Sequence, residues 1–420
     1  MESERSPHLS EKAGASTIVF HAQFSPAGCF PLSALRRFDA PLQDSRNRIC
    51  LCRDERGSRA FDCRAHERFA HSNPRRNRRF AVKFHRTLAA AAIGAALCSR
   101  AAFAVDPLPA LGADPAHTSV SGLSSGAFMA VQYQVAYSDS VVGSGIVAGG
   151  PYYCTTGKLA NTSKCMGMLP GSLPDPAQLL RTAKGFAARG EIDPLAGLQN
   201  DRIYVFSGTK DTVVYQRAVD TTVSFFKDAG VPADNLTYVK TIPAGHALIT
   251  PDFGNNCPIT ATPYINHCTV DKQSYDQPGA LLSFIYGPLN PPADQPAGKI
   301  IAFNQREFAG TATGMAEQAY AYVPQACAQG TACRVHVAFH GCKQSASVVG
   351  DDFYQKTSYN RWADTNNIVV LYPQVDASKV PNNPQGCWDW FGYTGKDYAV
   401  KAGVQMAAVN AMIGRLTSKP

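Results

Sequence analysis

Long apolar runs are scarce in this 420-residue chain. The clearest near the N-terminus, Leu88–Leu97, covers about half of the roughly 20 residues that a membrane-spanning helix needs, so no membrane anchor is expected. Cysteines at metal-ligand spacing are missing as well. Cys50, Cys52 and Cys63 make a C-x-C and an isolated third cysteine, not the paired spacing of zinc sites. Surplus charge is missing where a core can form. The formal net charge is +8, but residues 1–104 hold 18 Lys/Arg against 9 Asp/Glu, whereas residues 105–420 hold 22 against 23. A body this close to neutral has no electrostatic footprint for nucleic acid.

The basic end is explained by processing. Residues 1–81 are arginine-rich and without hydrophobic periodicity, and are expected to be unstructured or absent from the mature protein. Basic residues from Arg75 to Arg86 precede the apolar run, and Ala102-Phe103-Ala104 follows it. A positive region, a short hydrophobic region and an A-x-A site identify residues 82–104 as a secretory signal. Such signals begin near the first residue, so translation is expected to start near Val82. Bulky Leu97 before Cys98 argues against a lipid-attachment site.

Export changes how the remaining cysteines are read. Of 13, eight lie beyond the signal: Cys154, Cys165, Cys257, Cys268, Cys327, Cys333, Cys342 and Cys387. An even number in an oxidising compartment points to disulfides. Proximity pairs Cys154–Cys165, Cys257–Cys268 and Cys327–Cys333 and leaves Cys342–Cys387, one of roughly 105 connectivities that eight cysteines allow.

What is present is organised around Val120–Ala130. A strand leads into Gly122-Leu123-Ser124-Ser125-Gly126, then into an apolar helix running through Tyr137. G-x-S-x-G on a strand-to-helix turn is a nucleophile elbow: the turn pushes the serine out of the backbone, and the flanking glycines leave room for the crossing. The helix start offers the Ser125 N–H to an oxyanion. Further strands are predicted at Val141–Ala148, Arg202–Gly208 and Leu236–Ile242, and helices at Ala177–Ala188 and up to Asp228. Strand–helix alternation predicts an α/β fold, a mostly parallel sheet with helices on both faces, where function gathers past the strand ends.

Ser124, Asp211 and His246 each fall just past a strand end, in the order Ser…Asp…His. Each has a plainer alternative. Asp211 also fits as a helix cap, and Asp201, Asp220 and Asp228 are its rivals; His267, His336 and His340 compete with His246. Of the aspartates, only Asp211 stands on the right loop; His336 falls inside a strand and His267 beside an expected disulfide. Between the signal and Ser124 there is no room for the strand that carries the second oxyanion donor. Downstream, the strand Arg334–Phe339 ends in His340-Gly341-Cys342, which makes the Cys342 N–H the natural donor. A helix over Asp352–Asn366, a strand over Ile368–Pro373 and a helix from Tyr398 to Leu416 complete a cyclically reordered strand set, read as a circularly permuted α/β-hydrolase over residues 105–420.

The aromatic run Cys387-Trp388-Asp389-Trp390-Phe391-Gly392-Tyr393 fits core packing or a crevice wall. Its Pro/Asn/Gly-rich setting favours the crevice, with Trp388 and Trp390 as substrate-binding candidates.

S-G-L-S-S-G-A-F-M-A, G-T-K-D-T-V-V, P-A-G-H-A, H-G-C-K-Q and C-W-D-W-F-G-Y, in that order, resemble the poly(3-hydroxybutyrate) depolymerases of the circularly permuted, single-domain catalytic type, over essentially all of residues 105–420. The resemblance implies Ser124 as nucleophile, Asp211 as orienting acid, His246 as base, Ser125 and Cys342 as amide donors and Trp388 at a substrate subsite. The expectation is a secreted, monomeric esterase acting on a polyester or its oligomers with no metal or organic cofactor. Feruloyl and acetylxylan esterases share much of the motif set and give the alternative substrate class. A non-catalytic binding protein on the same scaffold is the alternative from a different class.

Overall fold

Between Asp106 and Pro420, the residues that the computed structural model describes, one eight-stranded sheet holds the fold together. Its strands in chain order are β1 (Thr118–Leu123), β2 (Val141–Val147), β3 (Arg202–Phe206), β4 (Leu236–Val239), β5 (Lys299–Asn304), β6 (Gln318–Val323), β7 (Arg334–Phe339) and β8 (Ile368–Tyr372). In space they run β5-β6-β8-β7-β1-β2-β3-β4. Every pair from β8 to β4 is parallel; β6 runs antiparallel to both β5 and β8. The expected upstream extension 1–81, the signal 82–104 and the cysteines they contain lie outside the described residues.

β1 is central and buried along its whole length, and its alternation assigns the layers. Ser119 and Ser121 point to one face, where Tyr286 of α4 (Gln277–Tyr286) and Tyr359 of α5 (Tyr359–Thr365) meet them. Gly122 points to the other, against α1 (Ser125–Ala136). α1 is buried on every side, as befits a helix whose sequence is apolar all round, and Tyr133 ties it to Asn410 of the closing helix α6 (Val404–Thr417). Two further helices, α2 (Pro176–Ala188) and α3 (Gln216–Asp228), pack on each other beside β2 and β3.

The face behind β1 carries a polar chain within the core. His336 of β7 bonds through Nδ1 to Ser119 Oγ (2.6 Å) and through Nε2 to Ser121 Oγ (2.8 Å); these hydroxyls continue to Tyr286 and Tyr359. A fully satisfied network of this kind fixes the β1–β7 register. Burial pulls the His336 imidazole down to about 3. Between that value and the ordinary 6.5, the unfolded chain binds a proton that the folded chain refuses, so this group's contribution is complete above pH 6.5 and is lost as pH falls. His336→Phe is expected to flatten that part of the pH–stability curve. It also removes one of the two hydrogen bonds of each serine hydroxyl, which keeps its tyrosine partner, at a cost of about 1–3 kcal/mol. Urea midpoints measured from pH 4 to 7 check both effects; a variant as stable as the parent would remove the network's role.

Several expected boundaries shift for identifiable reasons. The strand predicted to reach Ile242 ends at Val239, because the Ile242 and Ala244 carbonyls accept from Thr209 and Lys210 instead of the sheet. The single helix predicted over Asp352–Asn366 is two pieces, Asp352–Gln355 and α5; they break at Ser358, where φ is +61° and Oγ donates to Asp276 (2.6 Å). The closing helix starts at Val404, not Tyr398, whose hydroxyl is engaged by Thr155 and the Gly157 amide. The strands β5 and β6 and helix α4 had no counterpart in the sequence reading. The four disulfides are the three pairs expected from proximity and the remaining pair, Cys342–Cys387.

Candidate active site

The site begins at a backbone strain. Ser124, between β1 and α1, sits at φ +57° and ψ −122°, a conformation that side-chain-bearing residues rarely adopt and that costs on the order of 1–3 kcal/mol. Its flanking glycines are needed for space, not for a positive φ. A Cβ on Gly122 would lie 2.4 Å from the Gly126 backbone, and one on Gly126 would lie 2.3 Å from the Phe339 carbonyl. The same contacts bring the end of β7 against the start of α1. Ser124 spends its own amide on the Val147 carbonyl (2.9 Å). Among the described residues, neither the Ser125 nor the Cys342 N–H donates a hydrogen bond.

Asp211 and His246 come from neighbouring loops that are stitched together. Thr209 and Lys210 N–H donate to the Ile242 and Ala244 carbonyls (2.8 and 3.1 Å), and Gly208 lies so close that a Cβ would meet the Ala244 oxygen at 2.1 Å. His246 Nδ1–H donates to Asp211 Oδ2 at 2.8 Å, with side chains 5% and 1% exposed. The other carboxylate oxygen accepts from the Val213 and Val214 amides (2.8 and 3.0 Å), so Asp211 orients the histidine and caps the following turn at once. Thr260 Oγ1 accepts the His246 amide, and Tyr264 meets the imidazole edge-on. Fixing Nδ1 as the donor leaves Nε2 as the acceptor nitrogen, the tautomer a general base requires.

The rivals fall elsewhere. Asp201 precedes β3, bonds Gln134 at 2.6 Å and is pushed up to about 8 by burial. Asp220 and Asp228 belong to α3. His267 bonds the Gly254 carbonyl at the surface. His340 is buried and lowered to about 4, so it is neutral. Its Nδ1–H donates to the Gly341 carbonyl (2.7 Å), and its Nε2 accepts from Val375 (3.0 Å). That bond grips the peptide whose far end is the Cys342 N–H. Gln344 holds the peptide before it, accepting from the Gly341 N–H (2.7 Å) and donating to the Pro263 and Tyr264 carbonyls (2.9 and 3.1 Å). Sequence reasoning passed over this glutamine, although its place in H-G-C-K-Q is the signal. A Cβ on Gly341 would stand 3.5 Å from Ser124 Cβ, so the loop after β7 lies directly beside the serine.

Ser124, His246 and Cys342 line one cavity of about 430 Å³. Its walls are mainly apolar, with Leu123, Phe128, Leu159, Met166 and Val213 among them. Trp390 lines it and stacks on Phe128 at 4.2 Å. Trp388 does not line it. That side chain is fully buried behind the loop after β7, edge-on to Phe339 at 4.9 Å and tilted against His340. Two residues apart on an extended strand would share a face, but here the chain wraps around Asp389. The Asp389 carboxylate accepts from the amides of Phe391, Gly392, Tyr393 and Thr394 and from the Thr394 hydroxyl. The bend turns Trp388 inward and leaves Trp390 and Phe391 at the cavity. The Cys342–Cys387 disulfide joins this loop to the loop after β7.

The arrangement can perform acyl transfer: a half-buried hydroxyl, an oriented base and Cys342 share one apolar cavity, with the Ser125 N–H next to the serine at the head of α1. Among the described residues, no group of three or more His, Cys, Asp or Glu is placed to hold a metal, and no helix is long and apolar enough to cross a membrane.

Comparison with known proteins gives consistent matches. The family model described as "Esterase PHB depolymerase" matches residues 318–417. A poly(3-hydroxybutyrate) depolymerase of Delftia acidovorans is 47% identical over 337 residues, 79% of this chain and 66% of that protein. A polyhydroxybutyrate depolymerase of Talaromyces funiculosus is 39% identical over 331 residues, 75% of this chain and 94% of the relative. A solved PHB depolymerase, a serine-to-alanine variant complexed with an R3HB trimer, superposes with a TM-score of 0.68 at 36% identity, covering 74% of this chain and 99% of that one. The crystal structure of PHB depolymerase from Penicillium funiculosum superposes with a TM-score of 0.67 at 37% identity, with the same coverage.

Proposed function

Because this chain belongs to the poly(3-hydroxybutyrate) depolymerase family, we propose that it is a secreted serine esterase that cleaves poly(3-hydroxybutyrate) or its oligomers through an acyl-enzyme. The observation that carries the reading is the strained Ser124 sharing one apolar cavity with the Asp211-bound His246 and the Gly341–Cys342 peptide.

His246 Nε2 takes the Ser124 proton as Oγ attacks the ester carbonyl, and Asp211 stabilises the imidazolium that forms. The Ser125 and Cys342 amides receive the oxyanion, each worth on the order of 3 kcal/mol in comparable sites. They need not be freed from other bonds first, and His340 and Gln344 hold one of them in place. His246 then protonates the leaving 3-hydroxyl, and water releases the acyl group by the reverse sequence. The apolar walls formed by Leu123, Phe128 and Trp390 suit an aliphatic acyl unit. On this reading residues 82–104 export residues 105–420 as one catalytic domain, in which β7 follows the nucleophile strand in sequence and neighbours it in space. Four disulfides support an oxidising destination.

The test is a substrate panel on the purified mature protein. Clearing of a poly(3-hydroxybutyrate) emulsion and release of 3-hydroxybutyrate units are expected. Release of feruloyl or acetyl groups from sugar esters without any attack on the polyester would move the assignment to the carbohydrate esterases.

A further inference from the structure

Among the described residues that line the cavity, Lys343 is the one Lys or Arg, and no Asp or Glu faces it there. It directly follows Cys342 and is held on both sides. The Cys342–Cys387 disulfide anchors the preceding residue, and the Lys343 N–H donates to the Gln385 carbonyl at 2.8 Å. Its backbone is left-handed, at φ +57°. Four lysines of the body pair with acids, Lys240 with Asp220, Lys356 with Asp351 and Asp352, Lys396 with Asp397, and Lys401 with Asp193; what sets Lys343 apart from the other unpaired lysines is its place on the cavity wall. Lys343 is exposed and makes no ion pair or side-chain hydrogen bond with a described residue. An unpaired surface lysine is ordinary on an open face. Here it stands on the wall of an apolar cavity, one residue from an oxyanion donor, and the wall around it holds no carboxylate to neutralise it.

The chemistry of the substrate class limits what this charge can meet. A 3-hydroxyacyl polyester is neutral along its length. Its acyl side ends in a hydroxyl, and its leaving-alcohol side ends in a carboxylate. A cation beside the oxyanion hole therefore finds an anion only when the scissile ester lies near the acid end. We propose that Lys343 forms a carboxylate subsite on the leaving-alcohol side, which holds the acid end of a short 3-hydroxyacyl oligomer and directs cleavage to its last ester bond. The subsite rests on the esterase reading above and adds an end preference to it. Exposure and salt screening keep the effect modest, about fivefold at low ionic strength.

The experiment compares kcat/KM for a 3-hydroxybutyrate trimer as free acid and as its methyl ester, in the parent and in Lys343→Met and Lys343→Arg variants, at low and at high salt. The parent is expected to prefer the free acid about fivefold at low salt, with the preference fading at high salt. Lys343→Met brings the ratio to about one, and Lys343→Arg retains it because the charge is kept. Lys343→Asn, which tolerates the left-handed backbone, serves as the neutral variant if methionine disturbs the loop. Equal use of acid and methyl ester by the parent, or a preference that survives in the neutral variants, overturns the subsite and leaves the esterase reading standing. Hydrolysis of neither form would overturn both.

Discussion

Ser124→Ala is expected to lower kcat/KM toward ester substrates by roughly 10⁴-fold or more, with expression and folding unchanged. The proposed roles leave no other nucleophile on the cavity beside His246, so no acyl-enzyme forms. The Ser125 and Cys342 amides remain to bind a carbonyl, which sets a floor well above the uncatalysed rate. Because Ser124 has no side-chain capping bond and the change keeps a Cβ at φ +57°, the thermal midpoint stays close to that of the parent. Initial rates, a melting curve and labelling by an organophosphonate check the three parts together. Undiminished turnover in the variant would rule out the mechanism.

Asp211→Asn separates two duties that one carboxylate performs. Oδ1 caps the turn through the Val213 and Val214 amides, and Oδ2 receives the His246 Nδ1 proton. Asparagine keeps an acceptor oxygen for the cap, so unfolding midpoints should move by no more than about 1 kcal/mol. It presents an NH₂ to the imidazole, however, which reverses the favoured tautomer and puts a proton on Nε2. A fall of roughly 10⁴-fold in kcat is expected, with little change in KM. A loss of stability without a loss of kcat would make Asp211 a cap alone.

Much of the site was legible because its constraints are local. The elbow needs a serine with a small residue two positions away on each side, and those requirements act within five residues of chain. Asp211 and His246 stand on loops that follow apolar strands, so reading the strands placed the loops. Pairing cysteines by proximity worked because three of the loops they close are short, with separations of 11, 11 and 6 residues. The antiparallel strands β5 and β6 were missed although Ile300–Phe303 and Ala319–Val323 are apolar, because an antiparallel pair without a connecting helix falls outside the strand–helix alternation that located the other strands.

What the linear order determined by itself is the chemistry: which hydroxyl, carboxylate and imidazole occupy strand ends, in which succession, and which cysteines close short loops. Only the tertiary structure decided which tryptophan of C-W-D-W meets the cavity, since the bend depends on five hydrogen bonds to Asp389. It also decided that Gln344 braces the loop after β7 against the loop beside His246, and that, among the described residues, Lys343 has no ion-pair partner. Backbone propensities and spacing act over a few residues, whereas a cavity wall is assembled from segments more than two hundred positions apart, and packing alone fixes which side chain turns inward.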